Sequence, residues 1–244
     1  MNPTLLDNVT HRHLRVHTER SATLGDARQS ALALPAEFRQ LQAHFPIVFQ
    51  LVEGDAAQAA QAANTGFQPV ALFGLEEGQN LFLTNTGWDA PAVPMALQRD
   101  PFMIGRAPDD TLQLHIDMDS PRIVAPEEGE VGTAIFMPHG GFSDYLDHVV
   151  QLMEHLHAQA QQLPVFIEAL TRHQLLEPFV IDIESTSGEP GRLSGLFTIH
   201  EERLAALPGD ALEALAREGH LLPIYMQIAS LQQLQGLVER AARL

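Results

Sequence analysis

Cysteine and lysine are both missing from this chain of 244 residues. Without cysteine there is no disulfide, no thiolate nucleophile and no cysteine-ligated metal, so stability must come from packing. Without lysine there is no Schiff-base amine and no P-loop lysine, which excludes pyridoxal-phosphate enzymes and conventional nucleotide triphosphatases. The 14 basic residues are all Arg; they face 31 acids, and the formal net charge is −17. A field of that sign repels phosphate backbones and anionic lipid. Nucleic acid is therefore not an expected partner, and a protein with a basic surface is. Long apolar runs are missing as well, none approaching the roughly 20 residues of a membrane helix, so no membrane insertion is expected. Residues 1–20 are polar and lack the apolar stretch of a secretory signal, which makes the cytoplasm the expected compartment.

Familiar catalytic signatures are absent too. The chain has no Gly-x-Ser-x-Gly elbow, no His-Glu-x-x-His and no Gly-x-Gly-x-x-Gly. A hydrolase of ordinary type is not expected. What is present is an ordinary globular composition, 45% hydrophobic and 18% charged, which sets the chain apart from disordered sequences.

Residues 30–52 read as a helix that begins near Pro35, stops at Pro46 and gives way to a strand at Ile47-Val48-Phe49. The segment 55–65 is an Ala/Gln-rich low-complexity insert between β-like flanks, as in a long hairpin connection. Residues 69–75 and 80–83 flank the polar turn Glu76-Glu77-Gly78-Gln79 and read as a second hairpin. A short helix near 93–99 precedes strands at 102–106 and 111–118, and Glu127, Glu128 and Glu130 sit in a loop before a strand at 131–137. From Asp144 to about Leu175 the period is helical with Ser143 as N-cap, and Pro164 is expected to divide it into helices 144–162 and 164–174. A hairpin of 178–184 with 192–199 follows, then a helix at 209–218, a strand at 222–227 and a terminal helix at 229–243. The fold class is α+β: one domain over 1–244, a mostly antiparallel sheet flanked by helices. An echo between residues 70–106 and 193–227 fits a decayed strand–turn–helix–strand repeat.

Several stretches carry a family resemblance. They are Pro69 to Phe82, Trp88-Asp89, Arg99 to Arg106, His115 to Arg122, Phe197 to Leu204 and Pro223-Ile224-Tyr225. In these residues, and in length and motif order, the chain resembles the bacterial SapC-like family over nearly its whole extent. The resemblance implies a protein of a group named after a surface-layer gene cluster, whose members sit beside outer-membrane receptor and halogenase-like genes. It carries no catalytic motif across. The function it implies is that of a non-catalytic accessory or binding protein of a bacterial uptake or modification system, with no cofactor.

One constellation supports an alternative. In His115-Ile-Asp117-Met-Asp119 the polar groups lie at i, i+2 and i+4, on one face of a strand. A His-x-Asp pair completed by a distant histidine is the ligand set of a non-haem iron centre, so His115 and Asp117 with His200 or His139 would hold Fe(II) in an oxygenase-like enzyme. Trp88, in a Gly/Pro-rich loop, offers a platform for a ligand whose carboxylate Arg106 or Arg122 would pair. Gly140-Gly141 before Ser143 present backbone amides at a helix start, where an anion is favoured. His11, His13 and His17 fall in a polar segment expected to meet solvent. His148 and His155 share an edge of the long helix.

Overall fold

The computed structural model describes residues 1–52, 66–124, 129–184 and 190–243. The insert 55–65, Glu127 and Glu128, and the turn residues 185–189 lie outside them. Along the chain run β1 (Pro3–Leu5), β2 (Arg15–Val16), β3 (Ser30–Leu32), α1 (Phe38–Leu41), β4 (Ile47–Leu51) and β5 (Phe67–Leu72). Next come β6 (Leu83–Thr84), β7 (Gly87–Trp88), α2 (Met95–Gln98), β8 (Phe102–Arg106), β9 (Leu112–Asp117) and β10 (Thr133–Ala134). The long helix α3 (Asp144–Arg172) leads into β11 (Leu176–Glu184) and β12 (Pro190–Ile199). Four helices close the chain: α4 (Glu201–Ala205), α5 (Gly209–Arg217), α6 (Leu221–Ser230) and α7 (Gln233–Ala241). Every strand pairing is antiparallel, and the fold is α+β as expected. Among the described residues no helix is long and apolar enough to cross a membrane.

The described residues form two compact units: Met1–Ala27, Leu83–Asp89 and Met95–His157 in one, Arg28–Phe82, Ala90–Pro94 and Ala158–Leu244 in the other. In the first, β8 and β9 make the expected hairpin, and β1 adds to its other edge in the order β1-β9-β8. Alternation turns Phe102, Ile104, Leu114 and Ile116 to one face, where Leu146, Val149 and Met153 meet them from α3 at helical spacing. Each such side chain, when fully buried, stabilises by about 1.5–3 kcal/mol. This stripe holds the helix more than its intrinsic propensity does. Ser143 caps it as expected: the Leu146 amide donates to its Oγ at 3.2 Å, an interaction worth about 1 kcal/mol.

The N-terminal segment departs from expectation. It is threaded into the unit, with β1 on β9 and β2 on β10, and His11 and Val16 are buried. Its polar appearance hid the short strands, since two- and three-residue strands leave no period to read.

The second unit is built on a five-stranded sheet ordered β11-β12-β4-β5-β3. The flanks of the Ala/Gln insert pair as a hairpin, Ile47↔Ala71 through Leu51↔Phe67, and β11 pairs with β12 as expected. Residues 30–32 form a strand ahead of the expected helix, and Pro35, in the expected first turn, opens a short 3₁₀ turn ahead of α1. The hairpin of 69–75 with 80–83 does not form. Its turn is present, with Gly78 at φ +74° and the Gln79 amide donating to the Glu76 carbonyl. Both edges of β5, however, are taken by β3 and β4, and the returning chain meets its end through Leu81 N–H to Phe73 C=O at 2.8 Å. Gly74 permits this tight return, because a Cβ there would lie 2.3 Å from the Gln79 carbonyl oxygen. Phe45, Phe73 and Phe82 then meet edge to face, with Arg240 4.4 Å above the Phe82 ring.

Two expected breaks in secondary structure are absent. Pro164 does not divide the long helix: α3 is continuous from Asp144 to Arg172. An internal proline costs about 3 kcal/mol, but buried Leu163, Phe166, Ile167 and Leu170 surround it, and their burial outweighs that cost. Residues 222–227 are helical, not a strand. Pro223 sits in the first turn, where its missing N–H costs nothing, and burial of Pro223, Ile224, Gln227 and Ser230 follows a helical period. The segment 193–227 therefore ends in a helix where 70–106 ends in a strand, and the element orders of the two halves of the echo differ.

His220 precedes α6 and rests against the Phe166 ring at 5.5 Å. Burial, the main cause, holds its imidazole below the ordinary 6.5, with Arg172 acting the same way and Glu218 opposing. The unfolded chain then binds the proton more readily than the folded one. The stabilising contribution is complete above 6.5 and is lost as pH falls through the lowered folded value. We expect the melting temperature to drop between about pH 7 and pH 5.5 less steeply in His220→Phe than in the parent. Parallel slopes would contradict this role for His220.

Candidate functional site

The first unit contains an open cleft of about 580 Å³. Leu6, Ile104, Leu112 and Leu114 line it from the sheet side, Val150 and Met153 from α3. Phe136 and Phe142 line it from the segment before α3, their rings 5.9 Å apart. This segment is shaped by the turn Pro138-His139-Gly140-Gly141: the Met137 amide donates to the Gly141 carbonyl at 2.7 Å and the Gly140 amide to the Met137 carbonyl at 2.9 Å. Phe142 consequently lies 45% exposed at the cleft, where a hydrophobic side chain of that size has unsatisfied surface.

The remaining lining is polar: Asp7, Asn8, Gln113 and Glu154. Asp7 is committed to its own turn. Its Oδ1 accepts the amides of Thr10 at 2.7 Å and Val9 at 2.8 Å. Those bonds, with the Thr10 amide first, hold its carboxyl below the ordinary 3.8. Buried His11 completes this turn by accepting the Asp7 amide at its Nδ1, 3.2 Å away. Asn8 donates its side-chain N–H to the Gly140 carbonyl at 2.9 Å, tying the N-terminal turn to the glycine turn. Glu154 is exposed on α3 and makes no ion pair or hydrogen bond among the described residues. The cleft has apolar walls and carboxylates as its charged groups, with no Arg or His side chain among the described lining residues.

The residues singled out from the sequence fall elsewhere. His115 and Asp117 do share a face of β9, opposite the core face, with His115 flanked across the sheet by Leu5 and Met103. The His115 ring lies over Gly105, where a Cβ would come within 2.5 Å of its Nε2, and that nitrogen has no hydrogen-bond partner among the described residues. One oxygen of the Asp117 carboxylate, Oδ1, accepts the Asn2 amide at 2.6 Å and the Asp119 amide at 3.2 Å. His139 is exposed in the glycine turn, and His200 stands at the start of α4 in the other unit, 3.8 Å from Glu177. Among the described residues no three His, Asp or Glu side chains gather in a metal-binding group.

Arg122, expected to meet a ligand's carboxylate, is 2% exposed and meets a carboxylate of the chain itself: its Nη2 donates to Asp26 Oδ2 at 2.5 Å. Its Nη1 donates to the carbonyls of Glu19 and His17, and Arg20 pairs with the other Asp26 oxygen at 2.9 Å. Arg106 is exposed and paired with Asp110. Trp88 is half-buried on β7 opposite Leu83. None of the three lines the cleft. The cleft itself was not foreseen. Its one sequence signal is the apolar residue Phe142 between Gly141 and the Ser143 cap, where a turn is otherwise polar.

A family model matches this chain: SapC, over residues 6–237, so the chain belongs to the SapC family. The matched span takes in all the residues that line the cleft. No curated protein matches, and no solved structure does.

Proposed function

We propose that this SapC-family chain is a non-catalytic accessory or binding protein of a bacterial uptake or modification system, and that it takes an apolar ligand in the cleft of its first unit. The cleft is the observation that carries this reading. Eight of its twelve lining side chains are apolar, and its volume of about 580 Å³ lies within the usual range for small-molecule sites. The polar remainder comprises two carboxylates and two carboxamides, with no nucleophile paired to a base, and Asp7 is already spent on backbone amides. Such a lining supports binding better than turnover. The net charge of −17 supports a protein partner that approaches through a basic face, with affinity that falls as salt rises.

The test is titration with N-phenyl-1-naphthylamine, a neutral apolar dye whose fluorescence rises out of water. We expect saturable one-to-one binding. Val150→Trp, which places an indole in the cleft, should weaken it by about tenfold or more without changing the circular dichroism. Dye binding that is indifferent to Val150→Trp would remove the cleft from the account, and turnover by the purified protein alone would overturn the non-catalytic reading.

A further inference from the structure

We infer that the ligand of this cleft is an amphiphile with a cationic head, an alkyl amine or quaternary ammonium, its tail among the apolar walls and its head at Glu154. The inference rests on the reading of the cleft as an apolar binding site and adds the chemistry that selects the ligand.

A cleft that received a fatty acid or another anionic amphiphile would need a donor of positive charge at its mouth, and Arg is the only strong cation this chain has to offer. No Arg lines the cleft, and no His does. An anionic head would instead face Asp7 and Glu154 within a molecule of net charge −17. Among the polar side chains, the Asn8 amide N–H is engaged with the Gly140 carbonyl, and the Gln113 carboxamide has no hydrogen-bond partner among the described residues.

A cationic head finds the opposite. Among the described residues Glu154 has no ion pair, so its carboxylate is available at the cleft wall, unlike Glu168 and Glu213, which pair one turn on with Arg172 and Arg217. The Asp7 carboxyl stays ionised because its backbone bonds favour the charged form, so a second negative charge is fixed in the lining. Phe142, 45% exposed, offers a ring face of the kind that attracts quaternary ammonium groups.

The experiment is displacement of the neutral dye by three chains of one length, decyltrimethylammonium, decanol and decanoate, each below its micellar concentration. We expect the cation to compete about tenfold better than the carboxylate, with the alcohol between them. Glu154→Gln should narrow that gap by several-fold, and Glu213→Gln, an equal change in net charge on α5, should leave it intact. Equal competition by all three chains would overturn the head-group selection while leaving the cleft an apolar site. A gap that Glu154→Gln and Glu213→Gln reduce alike would assign it to net charge and overturn the role of Glu154. Failure of all three chains to displace the dye would overturn the binding reading together with the inference.

Discussion

Replacing Asp26 with Ala should destabilise the protein by about 3–5 kcal/mol, measured by urea unfolding, a large fraction of the roughly 5–15 kcal/mol that holds a domain folded. Asp26 has no exposed surface and Arg122 keeps only 2% of its own, so the variant leaves a guanidinium buried beside Arg20 with its counter-charge gone. The cost comes from the orphaned cation, more than from the net worth of the pair. It follows that Asp26→Ala with Arg122→Met should be more stable than Asp26→Ala alone. A single variant that loses less than about 1 kcal/mol, or a double variant no better than the single, would show that Arg122 is not a structural charge. The first of these outcomes would also reopen Arg122 as a ligand-binding side chain.

The Gln227→Leu variant is expected to lose about 2–4 kcal/mol, although it is nearly isosteric and adds apolar surface. Strands β4 and β12 pair only at Leu196↔Gln50 and Phe197↔Phe49, and beyond that point their backbones separate. The Gln227 side chain fills the gap from α6. Its Nε2 donates to the Ile47 carbonyl at 2.8 Å and its Oε1 accepts the Ile199 amide at 3.3 Å. Ser230, one turn on, accepts the Ile47 amide at 2.9 Å. Leucine would leave an acceptor and a donor buried without Gln227 as their partner, and each unmet group costs about 1–3 kcal/mol. Gln227→Glu should fall between the two, since it can accept from Ile199 and lacks the donor for Ile47. A stabilised leucine variant would mean that apolar contact, and not the amide, docks α6 on the sheet.

That amide explains why this stretch was misread from sequence. Leu221 to Ile228 is a short apolar run with Pro223 inside it, and such a run has no period that separates a buried strand from a buried helix. Gln227 and Ser230 make the difference, and their meaning lies in strands far away in sequence. The β8–β9 hairpin and the start of α3 were legible because alternation, helical spacing and the Ser143 cap are local signals, and all three agree. Pro164 is a local signal for a helix break, and the burial of the side chains around it outweighs that signal. The hairpin expected at 69–83 failed for a related reason: its turn chemistry is right, but β3 and β4 compete for the same strand edges.

The site was less legible than the fold. His115-x-Asp117 reads as chemistry because strand spacing puts both groups on one face, and the structure keeps that face, where Asp117 Oδ1 accepts the backbone amides of Asn2 and Asp119. Arg122 reads in the sequence as a charge open to a ligand, and in the structure it is buried against Asp26. The cleft escaped because it joins residues 6–8, 104–114, 136–142 and 150–154, none of which carries a motif by itself. Apolar clefts leave little trace in one sequence, since their residues look like core until the fold leaves them uncovered.

Methyl-resolved NMR of the parent protein tests most directly whether this cleft is the binding site. On addition of the neutral dye, shifts should concentrate in the methyls of Leu6, Ile104, Leu114, Val150 and Met153, all in the cleft wall. Resonances from the second unit, such as Ile224 and Leu237, should stay in place. Shifts centred on the second unit, or spread evenly over both, would contradict the account.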